Sequence, residues 1–275
     1  MGGIIFHPGI GKTATSAIQL LGSKLPVDDT NKVCFSPHGY IQEVHNVFAD
    51  NHPQFDAKKC QVELRKLIEF AGNRNADTIV SSEFLIFSSA MHIRKILNAV
   101  KNAEINVKVI VSVRNYTDYL MSSYMQAVKV KWGMKSGESM KSYATRELNN
   151  IRLLILIDQW AREVGDENVS ILEYDKFNQN FVAKFFNTIG VKKIDAKESS
   201  QKTNNSLPFS CASVLLEFDK VCSNPEKRLN LRHFLSTCHY DIAADDVFKT
   251  EVSAIVKNAY NHDFKRLSER YLIIS

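Results

Sequence analysis

Apolar residues follow two patterns along the 275-residue chain, and each pattern predicts a different element. Short uninterrupted apolar runs are typical of strands buried on both faces of a parallel sheet. They predict strands at 4–6, 33–35, 78–80, 107–113 and 169–172. Between these runs, apolar residues recur every three or four positions, which is typical of helices with one buried face. They predict helices at 15–24, 58–72, 88–103, 115–131, 139–163 and 177–189.

Strands that alternate with helices indicate a parallel sheet with helices on both faces. The last third of the chain reads differently, as helices at 208–221, 226–238 and 247–271. We therefore predict an α/β fold in which a P-loop-type parallel sheet is flanked by helices and carries a helical C-terminal cover. No change in composition marks a boundary, so we expect a single domain over residues 1–275.

Composition limits the classes of function. The chain is 44% hydrophobic and 24% charged, as in ordinary soluble proteins, and its net charge of +5 suits an anionic ligand. No run of lysine and arginine is interleaved with aromatic residues, so we expect no nucleic-acid partner. The five cysteines are scattered and form no CxxC pair, which indicates reduced thiols. No stretch resembles a secretory signal or a transmembrane segment, so we expect a cytoplasmic protein.

The first predicted strand leads directly into a segment suited to binding a phosphate. Residues 7–16 read HPGIGKTATS and open a helix. Backbone N–H groups of such a turn and the partial positive charge of a helix N-terminus attract anions, and Lys12 adds a full charge. The alternative is a lysine in a purely structural turn.

This loop differs from the loop of nucleotide triphosphatases, which reads GxxxxGK[ST]. Gly11, Lys12 and Thr13 supply its second half, but Phe6 stands where the first glycine belongs. The strands at 78–80 and 107–113 do not end in an aspartate that could hold Mg²⁺. We therefore expect chemistry without a metal, and a P-loop kinase or NTPase stays the alternative.

Ligands of parallel sheets bind beyond the carboxyl ends of the strands. Three such ends carry polar residues, at 7–16, 81–84 and 114–124. Arg114 ends a strand and Ser122 lies about two helical turns later, so we expect both to face one anion. Two phosphate sites at one sheet edge suggest a nucleotide that carries phosphate at two places.

The segment at 37–53 contains His38, His45 and His52. Their spacing of seven does not place them on one helix turn, as the metal-binding pattern HxxxH does. We expect an irregular, partly polar lid over a substrate rather than a metal site.

Residues 7–16 resemble the 5′-phosphosulfate loop of sulfotransferases that use 3′-phosphoadenosine-5′-phosphosulfate (PAPS). Residues 114–124 resemble the 3′-phosphate signature RxPxxRxxSxY of the same superfamily, with Tyr116 in place of the proline and Tyr119 in place of the second arginine. Residues 81–84, 204–207 and 264–271 are similar to bacterial carbohydrate sulfotransferases.

The resemblance implies in-line transfer of a sulfuryl group from PAPS to a hydroxyl or amine of a carbohydrate or glycolipid acceptor. It implies that the following residues bind the donor: Gly9, Gly11, Lys12, Thr13, Ala14, Thr15, Ser16, Arg114, Ser122, Tyr124, Asn205 and Ser206. Within this set, Lys12 and the loop amides would stabilise charge on the leaving phosphate oxygen, while Thr15 and Ser16 would hold the 5′-phosphate.

The acceptor must lose a proton as it attacks, so a base is needed. Glu83 is the first candidate, because it ends a buried strand beside the loop, where partial desolvation would raise its pKa. Alternatively, Glu83 only orients the loop. His7 is the second candidate, with an ordering role as its alternative, and His38 and His45 follow. The two tyrosine departures keep a third class open, a homologue that binds nucleotide without catalysis.

Overall fold

In a computed structural model, which describes residues 2–11, 13–25, 33–39, 45–130, 137–174, 180–191, 209–237 and 243–274, six strands form one parallel sheet. The strands are β1 (Ile4–Pro8), β2 (Val33–Phe35), β3 (Asp77–Ser82), β4 (Val107–Arg114), β5 (Val169–Tyr174) and β6 (Leu272–Ile274). Their order across the sheet is β2-β3-β1-β4-β5-β6. The predicted α/β fold with a helix-flanked parallel sheet is confirmed.

The α-helices of the described residues are α1 (Thr15–Ser23), α2 (Ala57–Gly72), α3 (Ala90–Lys101), α4 (Tyr116–Val130), α5 (Met140–Leu148), α6 (Leu153–Val164), α7 (Phe181–Thr188), α8 (Ser210–Val221), α9 (Pro225–Thr237) and α10 (Ala243–Arg270). Short 3-10 turns lie at Asn46–Phe48, Leu85–Phe87 and Asp166–Asn168. None of the helices in this part of the chain has both the length and the apolar content of a membrane span.

Two details of the pattern were predicted wrongly. The helix expected over 139–163 is two helices, because Asn149 and Asn150 interrupt it. Asparagine is a poor helix former, since its side chain competes for backbone hydrogen bonds. The expected run of helix to the chain end also stops at Arg270, and β6 follows it.

Close contacts divide the chain into two compact units. The first comprises Met1–Arg114, Leu153–Gln201 and Phe264–Ser275, and it contains the sheet. Successive residues of β1 point to opposite faces of the sheet. Ile5 therefore joins a core with side chains of α1 and α7, while Phe6 contacts Trp160 of α6, with ring centroids 5.6 Å apart. Helices thus cover both faces of the central strand.

The second unit comprises Asn115–Arg152 and Lys202–Asp263, and its described elements are helical. It contains an ion pair in which the buried Arg228 binds the half-buried Asp219 and donates to the last carbonyl groups of α4. Asp263 is fully buried and accepts two hydrogen bonds from Arg152, at 2.8 and 2.6 Å. The single domain expected over residues 1–275 stays a prediction.

Candidate functional site

The strand order places a topological switch point between β1 and β4. From β1 the chain continues toward β2 on one side of the sheet, and from β4 it continues toward β5 on the other. Ligands of open parallel sheets bind at the carboxyl edge beside such a point, because the diverging connections leave a crevice there. The loop that follows β1 and the end of β4 flank this crevice. The sequence had marked both as candidate site segments.

The loop after β1 is held to β4 and to itself by short hydrogen bonds. The Ile10 N–H donates to the Ser112 carbonyl oxygen (3.0 Å), and Thr13 Oγ1 donates to the Ile10 carbonyl oxygen (2.7 Å). A Cβ atom on Gly9 would lie 3.1 Å from the Oγ1 atoms of both Thr13 and Thr15. The chain therefore passes Gly9 with no room for a larger residue unless the threonines move.

Two of the three loop hydroxyl groups serve the loop itself. Thr13 and Thr15 are buried, and their Oγ1 atoms lie 3.3 Å apart. The Thr15 hydroxyl thus contacts Thr13, and its expected contact with a phosphate stays a prediction. Ser16 is exposed on the first turn of α1.

Helix α1 begins without a side-chain cap. Ala14 precedes it with φ 54° and ψ 21°, in the left-handed region that alanine rarely adopts. Because no side chain accepts the first N–H groups of the helix, the positive end of its dipole faces the loop. Lys12 lies outside the described residues, so its predicted role in the loop stays a prediction.

The end of β3 lies beside this loop. Glu83 Oε2 lies 3.4 Å from the position that a Cβ atom would take on Gly11. Ser82 fixes the backbone here, since its Oγ donates to Asn46 Oδ1 (2.5 Å) and accepts the Phe84 N–H (3.1 Å). The Glu83 side chain is exposed, and its role as base stays a prediction. The strand before it is buried, but the residue stands one position beyond the strand end.

His7 on β1 is fully buried, with its ring between a residue of β3 and a residue of β4. Its Nδ1 lies 2.8 Å from Ser81 Oγ on β3, and its Nε2 lies 2.7 Å from Ser112 Oγ on β4. Complete burial lowers the pKa of His7 to about 3, so the ring is neutral at physiological pH. With both nitrogens engaged inside the sheet, His7 fits the ordering role that the sequence left open beside the role of base.

His45 is a core residue rather than part of a lid. Its Nδ1 accepts the Ser81 N–H (3.0 Å) and its Nε2 donates to the Ser36 carbonyl oxygen (2.9 Å). Burial lowers the pKa of His45 to about 4, and contacts of the ring with the carbonyl oxygens of Ser36 and Ser81 offset this only in part. Residues 45–49 are all buried, so the predicted lid at 37–53 is wrong there, and 40–44 lie outside the described residues.

The other two histidines of that segment pack against aromatic rings. His38 packs edge-on against Phe70, and His52 packs edge-on against Phe84, with ring centroids 5.6 and 4.7 Å apart. In the described part of the chain, no three histidine, cysteine or acidic side chains form a group that could hold a metal ion.

Arg114 ends β4 beside Tyr174, its register partner on β5. The guanidinium carbon lies 5.2 Å from the centroid of the tyrosine ring, a cation–π contact that orients the side chain at the carboxyl edge. The sequence had missed Tyr174 because the predicted strand stopped at residue 172. Extending that strand by two residues would have placed the tyrosine opposite Arg114.

The residues that follow Arg114 in the segment resembling the 3′-phosphate signature, 115–124, belong to the second unit. Tyr124 is buried there; its hydroxyl donates to the Glu138 carbonyl oxygen (3.1 Å), and its ring packs against Phe209. The side chain is used in packing here, and its predicted contact with the donor stays a prediction. Ser122 is half-buried on α4, and its predicted role is untested. Asn205 and Ser206 lie outside the described residues.

Tyr116, which stands where the resembling signature has a proline, has a structural role. Its ring is fully buried, and its hydroxyl donates to Asp263 Oδ2 (2.7 Å). It thereby helps to satisfy the buried carboxylate, which a proline could not do. The departure at this position thus has a physical reason within the helical unit.

Solved structures similar to this chain include a sulfotransferase. No protein-family model matches the sequence, and no curated protein matches it. A solved structure of a sulfotransferase from Alicyclobacillus acidocaldarius is similar to this chain, with 17% sequence identity and a TM-score of 0.47. The match covers 83% of this chain and 99% of that chain. These values do not assign a function.

Proposed function

We propose that this protein is a sulfotransferase that transfers a sulfuryl group from PAPS to a hydroxyl or amine of a carbohydrate or glycolipid. One observation carries the proposal: three strand ends of the first unit meet at the carboxyl edge of the sheet. The glycine-containing loop follows β1 and Arg114 ends β4, the two strands that flank the switch point, while Glu83 follows the neighbouring strand β3 beside Gly11. Phosphate binding and proton removal are the two tasks that the transfer requires, and these groups suit them.

The loop after β1 suits the 5′-phosphate end of the donor. The loop turns tightly at Gly9, against the side chains of Thr13 and Thr15, and leads directly into the start of α1, which has no side-chain cap. Backbone N–H groups at such a helix start bind phosphate oxygens. When bound, PAPS supplies an activated sulfuryl group on a phosphate leaving group. In this proposal Lys12 and the loop amides stabilise the negative charge that develops on that oxygen.

Arg114 suits the 3′-phosphate of the same nucleotide. A guanidinium offers two parallel donors to a phosphate, and the contact with Tyr174 limits the orientations that the side chain can take. Binding the nucleotide at a second point would hold its reactive end in a fixed position at the loop, which lowers the entropic part of the barrier.

Glu83 is the proposed general base. Its exposed carboxylate lies beside the loop, where an acceptor hydroxyl can reach it from solvent. A carboxylate in this position can take the proton of the acceptor as the acceptor oxygen attacks sulfur. His7 lacks this access, since it is fully buried. We also propose a cytoplasmic location, because Cys34, Cys60, Cys211 and Cys222 are free thiols.

Calorimetric titration tests the proposal against the kinase alternative. We expect 3′-phosphoadenosine-5′-phosphate (PAP) to bind without a metal and ATP with Mg²⁺ to bind poorly. Arg114→Ala should weaken PAP binding by about 10- to 100-fold, the range for hydrogen bonds to a charged group. Lys108→Ala is the matched control, because Lys108 is an exposed cation at the opposite end of the same strand.

Preferential binding of ATP with Mg²⁺ would contradict the proposal and favour a phosphotransferase. An unchanged PAP affinity in Arg114→Ala would remove Arg114 from the site. Transfer of labelled sulfate from PAPS to a panel of glycans then separates an enzyme from a homologue that only binds nucleotide.

A further inference from the structure

A row of buried polar side chains, formed by His7, Ser81, Ser112 and Gln19, crosses the apolar centre of the sheet. His7 on β1 lies between Ser81 Oγ of β3 and Ser112 Oγ of β4, at 2.8 and 2.7 Å. All three side chains are fully buried. The row reaches α1, because Gln19 Nε2 on that helix lies 3.3 Å from Ser81 Oγ and 3.2 Å from the Ser81 carbonyl oxygen.

These contacts form one consistent direction of hydrogen bonding. A neutral imidazole has one donor and one acceptor nitrogen, and each serine hydroxyl can donate once and accept. In one arrangement that satisfies these contacts, Gln19 Nε2 donates to Ser81 Oγ and the Ser81 hydroxyl donates to His7 Nδ1. His7 Nε2–H then donates to Ser112 Oγ. Each of these side chains has at least one hydrogen-bond partner, as buried polar groups require in an apolar surrounding.

The row has a regular relation to the candidate site. Each of its three strand residues stands two positions before a site residue: His7 before Gly9, Ser81 before Glu83, and Ser112 before Arg114. Two residues of extended chain span about 6.6 Å, so each strand residue of the row lies about that far along its strand from the site residue that follows it. Any sliding of one strand against the others would displace the three site segments relative to one another.

A second contact joins the row to the loop. The carbonyl oxygen of Ser112 accepts the Ile10 N–H at 3.0 Å. The same residue thus holds the loop through its backbone and the central histidine through its side chain.

We propose that His7 is a positioning residue, which with Ser81 and Ser112 fixes the relative positions of the three strand ends that carry the donor loop, Glu83 and Arg114. The consequence for turnover rests on the proposed function, whereas the consequence for the strand ends does not. His7 touches no reacting atom in this account.

The test uses the full chain with Ser112→Ala and Ser81→Ala, each of which removes one hydroxyl from the row and keeps the histidine. Ser88→Ala is the matched control, because the Ser88 hydroxyl is also buried but makes no hydrogen bond with any described residue. Hydrogen exchange of backbone amides is followed at both ends of β1, β3 and β4.

We expect faster exchange in the two row variants at residues 9–11, 13–16 and 83–85, and unchanged exchange at the amino ends of the same strands. The control should exchange like the wild type. If a row variant exchanges faster at both strand ends alike, or at neither, the row has no positioning role and the inference is overturned. This readout does not depend on activity.

Turnover gives the second readout. Displacement of reacting groups by about 1 Å can lower a rate by about 10²-fold, so kcat should fall by about that factor in Ser112→Ala and stay unchanged in Ser88→Ala. A kcat that is equal in both variants would overturn the inference. If the wild type does not bind PAP at all, the proposed function fails, and the exchange pattern alone decides the positioning role.

Discussion

Two glycines of the loop after β1, Gly9 and Gly11, should respond in opposite ways to the same substitution. Neither has a positive φ, so alanine is sterically compatible with the backbone at both positions. They differ in the space around them. A Cβ atom on Gly9 would lie 3.1 Å from the Oγ1 atoms of Thr13 and Thr15, whereas on Gly11 the one neighbour within 4 Å among the described residues would be Glu83 Oε2, at 3.4 Å.

The expected magnitudes follow from these contacts. In Gly9→Ala both threonines must move by a few tenths of an ångström, which strains the 2.7 Å hydrogen bond from Thr13 to Ile10. Overpacking typically costs about 1–3 kcal/mol and a weakened neutral hydrogen bond about 0.5–1.5 kcal/mol. Reduced freedom of the unfolded chain returns about 0.4–1 kcal/mol. We expect a net loss of about 1–3 kcal/mol for Gly9→Ala and a gain of up to about 1 kcal/mol for Gly11→Ala.

Urea unfolding and thermal unfolding measure both variants against the wild type. The midpoint temperature should fall by about 2–4 °C for each kcal/mol lost in Gly9→Ala. PAP titration adds the functional readout, since the displaced loop should bind the nucleotide less tightly. Stability changes of the same sign in the two variants would refute the claim that close packing at Gly9 makes alanine destabilising there.

Three further predictions concern Glu83, Gly22 and Asp263. Glu83→Gln should lower kcat by about 10²–10⁴-fold with PAP affinity near normal, while Glu69→Gln on the exposed face of α2 serves as control; normal turnover would remove Glu83 from the role of base. Gly22→Ala should lower the free energy of unfolding by about 1–3 kcal/mol in urea, although alanine has the better helix propensity, because the added Cβ atom would lie 2.1 Å from the Phe35 ring. A variant as stable as the wild type would contradict this close packing. Burial raises the pKa of Asp263, but hydrogen bonds from arginine, tyrosine and histidine outweigh it and hold the pKa below its ordinary value. Its ionised form therefore contributes stability that is complete above about pH 4 and is lost as the pH falls through the lower folded-state pKa; stability that falls equally on acidification in Asp263→Asn and in the wild type would disprove this contribution.

The sheet was predictable because its strands are buried on both faces. Such strands are rich in apolar, β-branched residues, and 107–113, with five such residues out of seven, shows this directly. The strand β6 was not predictable in this way, since it has three residues and directly follows the long helix α10. Its pairing with β5 is a long-range contact that local pattern does not encode.

Side-chain surroundings at the site were harder to infer than strand positions. The sequence placed Glu83 at a strand end but could not show that the residue stands outside the buried layer. It also placed Tyr124 in register with a signature, whereas the ring packs against Phe209, which is 85 residues away in the chain. In both cases burial depends on elements that are remote in sequence.

The central claim is that the carboxyl edge between β1 and β4 binds a nucleotide with phosphates at two places. A crystal structure of the protein with PAP tests this most directly. The account predicts that the 5′-phosphate lies in the loop at residues 9–16 and that the 3′-phosphate is within hydrogen-bond distance of Arg114. A nucleotide bound elsewhere, or one whose 3′-phosphate points away from Arg114, would contradict it.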